Sequence, residues 1–112
     1  MTTPPLEKAA ARAERRQFTR RKFRGNIEIE WGAAVLNGTV RDIGPQGLFV
    51  ELTPPLWLGA TFHARLIVSP VLPLDCKVVR VEPGKGVAVV FEVAEDSAKT
   101  QMEGLLVSLP AL

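Results

Sequence analysis

The chain has 112 residues, 46% of them hydrophobic, which suits one domain with a true core and is too short for two of ordinary size. A single cysteine, Cys76, and a single histidine, His63, exclude an internal disulfide and a zinc site built of several thiolates, and leave little material for a Cys/His nucleophile pair. The net charge of +2 is unevenly spread: residues 1–25 hold eight basic and two acidic side chains, a local +6, while the rest of the chain carries −4.

A basic arm on a mildly acidic body suits an anionic partner, because fixed positive charge lowers the free energy of nearby phosphates. Nucleic acid, anionic lipid and a phosphorylated small molecule all fit, and charge does not choose among them. No apolar stretch reaches the roughly 18 residues that span a bilayer, and the first residues lack the apolar core of a secretory leader. A soluble cytoplasmic protein is the expectation.

Residues 4–16 open with Pro4-Pro5 and continue with leucine, glutamate, arginine and four alanines, which are good helix formers. Their apolar face is almost all alanine, so such a helix buries little and is marginal without a partner; a solvated tail is the alternative. Residues 1–25 are thus read as a basic, partly helical N-terminal arm, and residues 26–112 as the folded body.

From Asn26 the pattern changes to period two. Ile27, Ile29 and Trp31 alternate with Glu28 and Glu30, as in a strand with one buried face. Asn37-Gly38 is read as a two-residue hairpin turn between Ala33–Leu36 and Thr39–Ile43. Further strands are expected at Leu48–Leu52, closed by Thr53-Pro54-Pro55, and at Thr61–Val68, Leu74–Val81 and Val87–Val93. Glu95-Asp96-Ser97 opens a final helix, capped by Asp96 or Ser97, with Met102, Leu105, Leu106 and Leu109 at helical spacing for packing on the sheet. Short strands with Gly/Pro turns and no crossover helix predict a mainly all-β fold: a six-stranded antiparallel β-barrel with a C-terminal helix.

Signatures of catalysis are scarce, and no enzyme activity is expected. His63 alternates with Phe62 and reads as a surface strand residue. Gly84-Lys85-Gly86 lacks the spacing and the following Ser/Thr of a phosphate loop and reads as a hairpin turn. Cys76 reads as a small buried apolar residue, and Trp31 and Trp57 as core or rim packing. Arg21, Lys22 and Arg24 read as solvated charge.

Two features remain: Arg15-Arg16 with Arg20 four residues after Arg16, and Asp42-Ile43-Gly44-Pro45-Gln46-Gly47 followed by the apolar Leu48-Phe49-Val50. In this order and strand context they resemble the RxxxR and (D/N)xSxxG motifs of the PilZ domain family. Pro55–Gly59 and Gly86–Phe91 fit the family's later strands, and the likeness covers roughly residues 14–109. It implies a receptor for cyclic di-GMP with no further cofactor. Arginine suits that ligand, since it bonds phosphate or the guanine O6/N7 edge through two N–H groups and stacks flat on a base.

By resemblance Arg16 and Arg20 are the principal ligands, and Arg15 adds contacts that favour a stacked dimer of the dinucleotide. Asp42 would accept from the guanine N–H edge, Gly47 would let the backbone approach, and Arg80 would reach in from a neighbouring strand or else be an exposed strand arginine. Gly44 departs from the pattern, for the family has serine there. A lost hydrogen bond to a charged group costs about 1.5–3 kcal/mol unless backbone N–H groups of the turn or a water replace it.

The resemblance further implies an arm that orders on the ligand and an adaptor acting on a protein effector. Two other readings stay open: a degenerate PilZ module that works through protein contacts alone, and a small nucleic-acid-binding barrel. Tyrosine is absent and most phenylalanines fall on apolar strands, which argues against an exposed base-stacking face.

Overall fold

The computed structural model describes residues 20–52, 56–93 and 95–110. Six strands come first: β1 (Arg21–Trp31), β2 (Ala34–Ile43), β3 (Gly47–Glu51), β4 (Thr61–Leu66), β5 (Leu72–Glu82) and β6 (Gly86–Glu92). The helix α1 (Asp96–Ser108) follows. All strand pairs are antiparallel and the sheet closes on itself in the order β1-β2-β3-β6-β5-β4. The expected barrel with its C-terminal helix is the fold observed. The helical stretch expected at residues 4–16 and the Thr53-Pro54-Pro55 turn lie outside the described residues.

Period-two alternation fills the interior. Ile27 and Ile29 from β1, Val40 and Ile43 from β2, and Leu48 and Val50 from β3 are fully buried, and they meet Leu66, Leu72, Cys76 and Val89 from the remaining strands. Met102 and Ala98 of α1 are buried against this core, and Leu105, Leu106 and Leu109 pack partly upon it. Glu95 is the N-cap residue and makes no side-chain cap bond, so neither Asp96 nor Ser97 caps the helix as expected. Asp96 instead lies in the first turn, where the helix dipole favours negative charge.

Two local expectations are corrected. β1 starts at Arg21, ahead of the alternation at Asn26, because Arg21 and Lys22 already pair with Ile43 and Asp42 of β2. Asn37-Gly38 is not a turn: both residues lie inside β2, opposite Glu28 and Ile27. The hairpin turns five residues earlier at Gly32, whose φ of +62° suits glycine. Gly38 serves packing, for a Cβ there would stand 2.5 Å from Val50 Cγ1. The Gly84-Lys85-Gly86 turn is as expected, with Gly84 at φ +76° and Lys85 N–H donating to the Glu82 carbonyl at 2.9 Å.

The residues after α1 return to the start of β1. Lys22 N–H donates to the Pro110 carbonyl at 3.0 Å, and Arg21 Nη1 donates to the Leu109 carbonyl at 3.0 Å. Arg24 is paired with Glu51. Arg21, read as solvated charge, is therefore partnered and partly buried, while Arg24 stays two-thirds exposed, as solvated charge should. Among the described residues no helix is long and apolar enough to cross a membrane.

Candidate functional site

The outer face where β1, β2 and β3 meet is organised by an irregularity in β2. Val40 pairs with Val50 and Ile43 with Leu48, but Arg41 and Asp42 together stand opposite Phe49. Such a β-bulge breaks the strict alternation, so two consecutive side chains share one side of the sheet. Phe49 lies between the core residues Leu48 and Val50, so it points outward, yet it is buried. The guanidinium of Arg41 covers it, with the carbon 3.8 Å from the ring centroid.

Asp42 is the one buried charged residue among those described, 7% exposed. Its carboxylate has a cation at each oxygen. Arg20 donates from Nε (3.0 Å) and from Nη2 to Oδ1, and Arg41 donates from Nε to Oδ2 at 3.2 Å. Two arginines around one carboxylate leave a net positive charge, which suits an anion. Lys22, directly opposite Asp42 on β1, adds to it.

Gly47 opens β3 beside this group. A Cβ at this position would lie 2.6 Å from the Val89 carbonyl oxygen and 3.7 Å from Arg20 Nη1. The glycine thus permits β3 and β6 to approach while leaving room for the Arg20 guanidinium. In the preceding turn, Gly44 N–H donates to the Gly47 carbonyl at 2.7 Å and the Gln46 carbonyl accepts from Phe91 N–H at 2.9 Å. The Gly44 N–H is thus taken up inside the turn and does not stand in for the missing serine hydroxyl.

Arg80 belongs to the same outer row. Asp42 pairs with Phe49, Phe49 with Ala88 and Ala88 with Arg80, across β2, β3, β6 and β5. At about 4.8 Å per strand, Arg80 stands roughly 14 Å along the sheet from Asp42. It is exposed and paired with Glu82. Of the expected site residues, the structure therefore brings Arg20, Asp42 and Gly47 into contact, sets Gly44 at the rim with its N–H occupied, and leaves Arg80 at the far end of the row. Arg15 and Arg16 lie outside the described residues.

Arg41 and Phe49 were not legible as site residues. Adjacent positions in a strand normally face opposite ways, and only the bulge puts Arg41 beside Asp42.

The far side of the barrel carries different chemistry. Glu30, His63, Asp75 and Glu92 form a row across β1, β4, β5 and β6, and the exposed His63 pairs with Asp75. Arg65 donates hydrogen bonds to Glu30 and Glu28, which hold it charged, and so ties β4 to β1. Trp31 packs on the core and meets the exposed Trp57 edge-on at 4.9 Å, a rim contact as expected. Among the described residues no three His, Cys, Asp or Glu side chains are grouped to hold a metal ion.

Comparison with solved structures shows a shared fold at low identity. YcgR from Escherichia coli, solved in complex with c-di-GMP, is similar with a TM-score of 0.69 and 14% identity, over 84% of this chain and 45% of that one. The inhibitor of motility MotI/DgrA from Bacillus subtilis gives 0.66 and 13%, over 84% and 50%. The PilZ domain of CeSA from a cellulose-synthesizing bacterium gives 0.61 and 16%, over 80% and 95%. The chain thus spans about half the length of YcgR and of MotI, and nearly all of the CeSA domain. No curated protein matches it in sequence. The family model for the PilZ domain matches residues 14–108, a stretch that takes in every strand of the barrel and all of α1, and on that match the chain belongs to the PilZ domain family.

Proposed function

We propose that this chain is a receptor domain for cyclic di-GMP, binding it on the outer face at Arg20, Asp42 and Gly47, with no catalysis of its own. One observation carries the reading: Arg20, the last residue of Arg16-x-x-x-Arg20, is joined to Asp42 beside Gly47, so one arginine of the first motif meets the second motif across 22 positions of chain, which supports a shared cationic site. The ligand offers two phosphates and two guanines. Asp42 suits the guanine N–H edge, and the arginines suit phosphate and the O6/N7 edge. Arg15 and Arg16 complete the set from the basic arm of residues 1–25, with residues 26–112 as the body. Arg15 favours a stacked pair of ligand molecules.

In this reading the ligand competes with Asp42 for Arg20, and the exchange draws the arm onto the barrel. The altered surface is what a protein effector in the cytoplasm recognises. YcgR, a structural neighbour, was solved with c-di-GMP, which supports the ligand class. A second reading, a PilZ module that acts through protein contacts without ligand, is favoured by Gly44, whose N–H is spent within its own turn.

Calorimetric titration with cyclic di-GMP at about 150 mM salt separates the two. Micromolar or tighter binding, abolished in Arg16→Ala and Arg20→Ala, is the expected result. A folded protein that gives no heat supports the ligand-free module. Binding only to a single-stranded oligonucleotide, falling steeply with salt, would point to a nucleic-acid barrel.

A further inference from the structure

Arg41 lies outside both family motifs, yet it is held at two points on this face. One side of its guanidinium rests on the Phe49 ring at 3.8 Å. Its Nε edge is turned to Asp42 Oδ2 at 3.2 Å. The side chain as a whole is 41% exposed and lines an open cleft of about 920 Å³ with Lys22, Phe23, Arg24, Asp42 and Leu109.

These contacts limit what Arg41 can do. The edge through which arginine usually grips phosphate with two parallel bonds includes Nε, and Asp42 already occupies it. The outer Nη edge and the flat face opposite Phe49 remain open, and the guanidinium plane is the part that the protein itself has already set against a ring. A guanidinium seated over a ring on one side can act as a platform for a second planar group on the other. Resting on the reading of this face as a cyclic di-GMP site, we infer that Arg41 stacks on one guanine base of the ligand and forms the middle layer of a Phe49–Arg41–guanine sandwich. The bulge at Arg41–Asp42 then has a use: it places the stacking group and the acceptor for the base edge side by side. Asp42 fixes the base in its own plane, and Arg41 fixes it from above.

The test is calorimetric titration of cyclic di-GMP into the wild-type chain, Arg41→Ala, Arg41→Lys and Arg20→Ala, with thermal melts to show that each is folded. Base stacking is worth about 1–3 kcal/mol, so Arg41→Ala is expected to weaken binding by about tenfold or more. Lysine keeps the charge and can still pair with Asp42, but it lacks the flat face. Arg41→Lys is therefore expected to bind nearly as weakly as Arg41→Ala, and it also serves should the alanine variant fail to fold. Arg41→Lys binding like wild type would overturn the stacking role and leave Arg41 only as charge. Both variants binding like wild type while Arg20→Ala does not would remove Arg41 from the site and leave the receptor reading intact. A wild-type chain that does not bind overturns both.

Discussion

Arg20, just ahead of β1, meets Asp42 of β2, with Nε and Nη2 of the arginine on the same carboxylate oxygen, Oδ1. Asp42 is almost wholly buried and Arg20 about one-third exposed, so the pair is neither a plain surface ion pair nor a fully desolvated one. Asp42→Ala removes the one carboxylate that neutralises both Arg20 and Arg41. It is expected to cost about 1–2 kcal/mol in urea unfolding. Arg20→Ala leaves Asp42 with Arg41 and is expected to cost less, while lowering cyclic di-GMP affinity by about 100-fold or more.

Gly44→Ser restores the hydroxyl that the family motif carries. If the turn contacts the ligand, titration is expected to show affinity rising by about 10- to 100-fold, the equivalent of one hydrogen bond to a charged group. Unchanged affinity would mean that the ligand does not reach this turn.

Two glycines are held by backbone proximity, and to different degrees. At Gly86 a Cβ would stand 2.0 Å from the Val50 carbonyl oxygen, a contact that requires β3 and β6 to separate. Gly86→Ala is expected to cost about 3 kcal/mol or more and to lower the melting temperature accordingly. At Gly47 the corresponding distance is 2.6 Å, to Val89. Gly47→Ala is expected to cost about 1–3 kcal/mol and, because it crowds Arg20, to weaken ligand binding as well. A Gly47→Ala variant with wild-type affinity would separate the glycine from the site.

Cys76 is fully buried, and burial first, then the neighbouring charge of Asp75, pushes its thiol well above the ordinary cysteine range. The sign follows from linkage. Below the unfolded value of about 8.5 the thiol is neutral in both states and its contribution is fully present. Above it only the unfolded chain ionises, so stability falls by up to about 1.4 kcal/mol per pH unit. The chain has no tyrosine to obscure this. Urea midpoints between about pH 8 and 10 are expected to fall in the wild type and to fall less in Cys76→Ala, and the native thiol is expected to resist aromatic disulfide reagents.

The barrel was legible because its signal is local: Ile27/Ile29, Leu48/Val50 and Gly84-Lys85-Gly86 each state their face or turn within a few residues. Asn37-Gly38 misled because the same dipeptide that favours a tight turn also fits where a strand must pass close to Val50, and only the third dimension tells these apart. The motif residues Arg20, Asp42 and Gly47 could be named from the family resemblance, and they do come together. Arg41 and Phe49 could not, since a single unpaired residue in β2 reverses the facing of a side chain without leaving a mark in composition.

The bonds that tie the chain's tail to β1 have a bearing on recognition. β1 pairs with β4 only from Ile27 to Glu30, so its first half would present bare backbone to any extended peptide. Lys22 N–H is already engaged there by the Pro110 carbonyl. Part of the edge where another protein could add a strand, at Lys22, is thus taken by the chain itself. A strand added along the full length of this edge would have to displace the Lys22–Pro110 contact, whereas recognition through side chains would leave it in place.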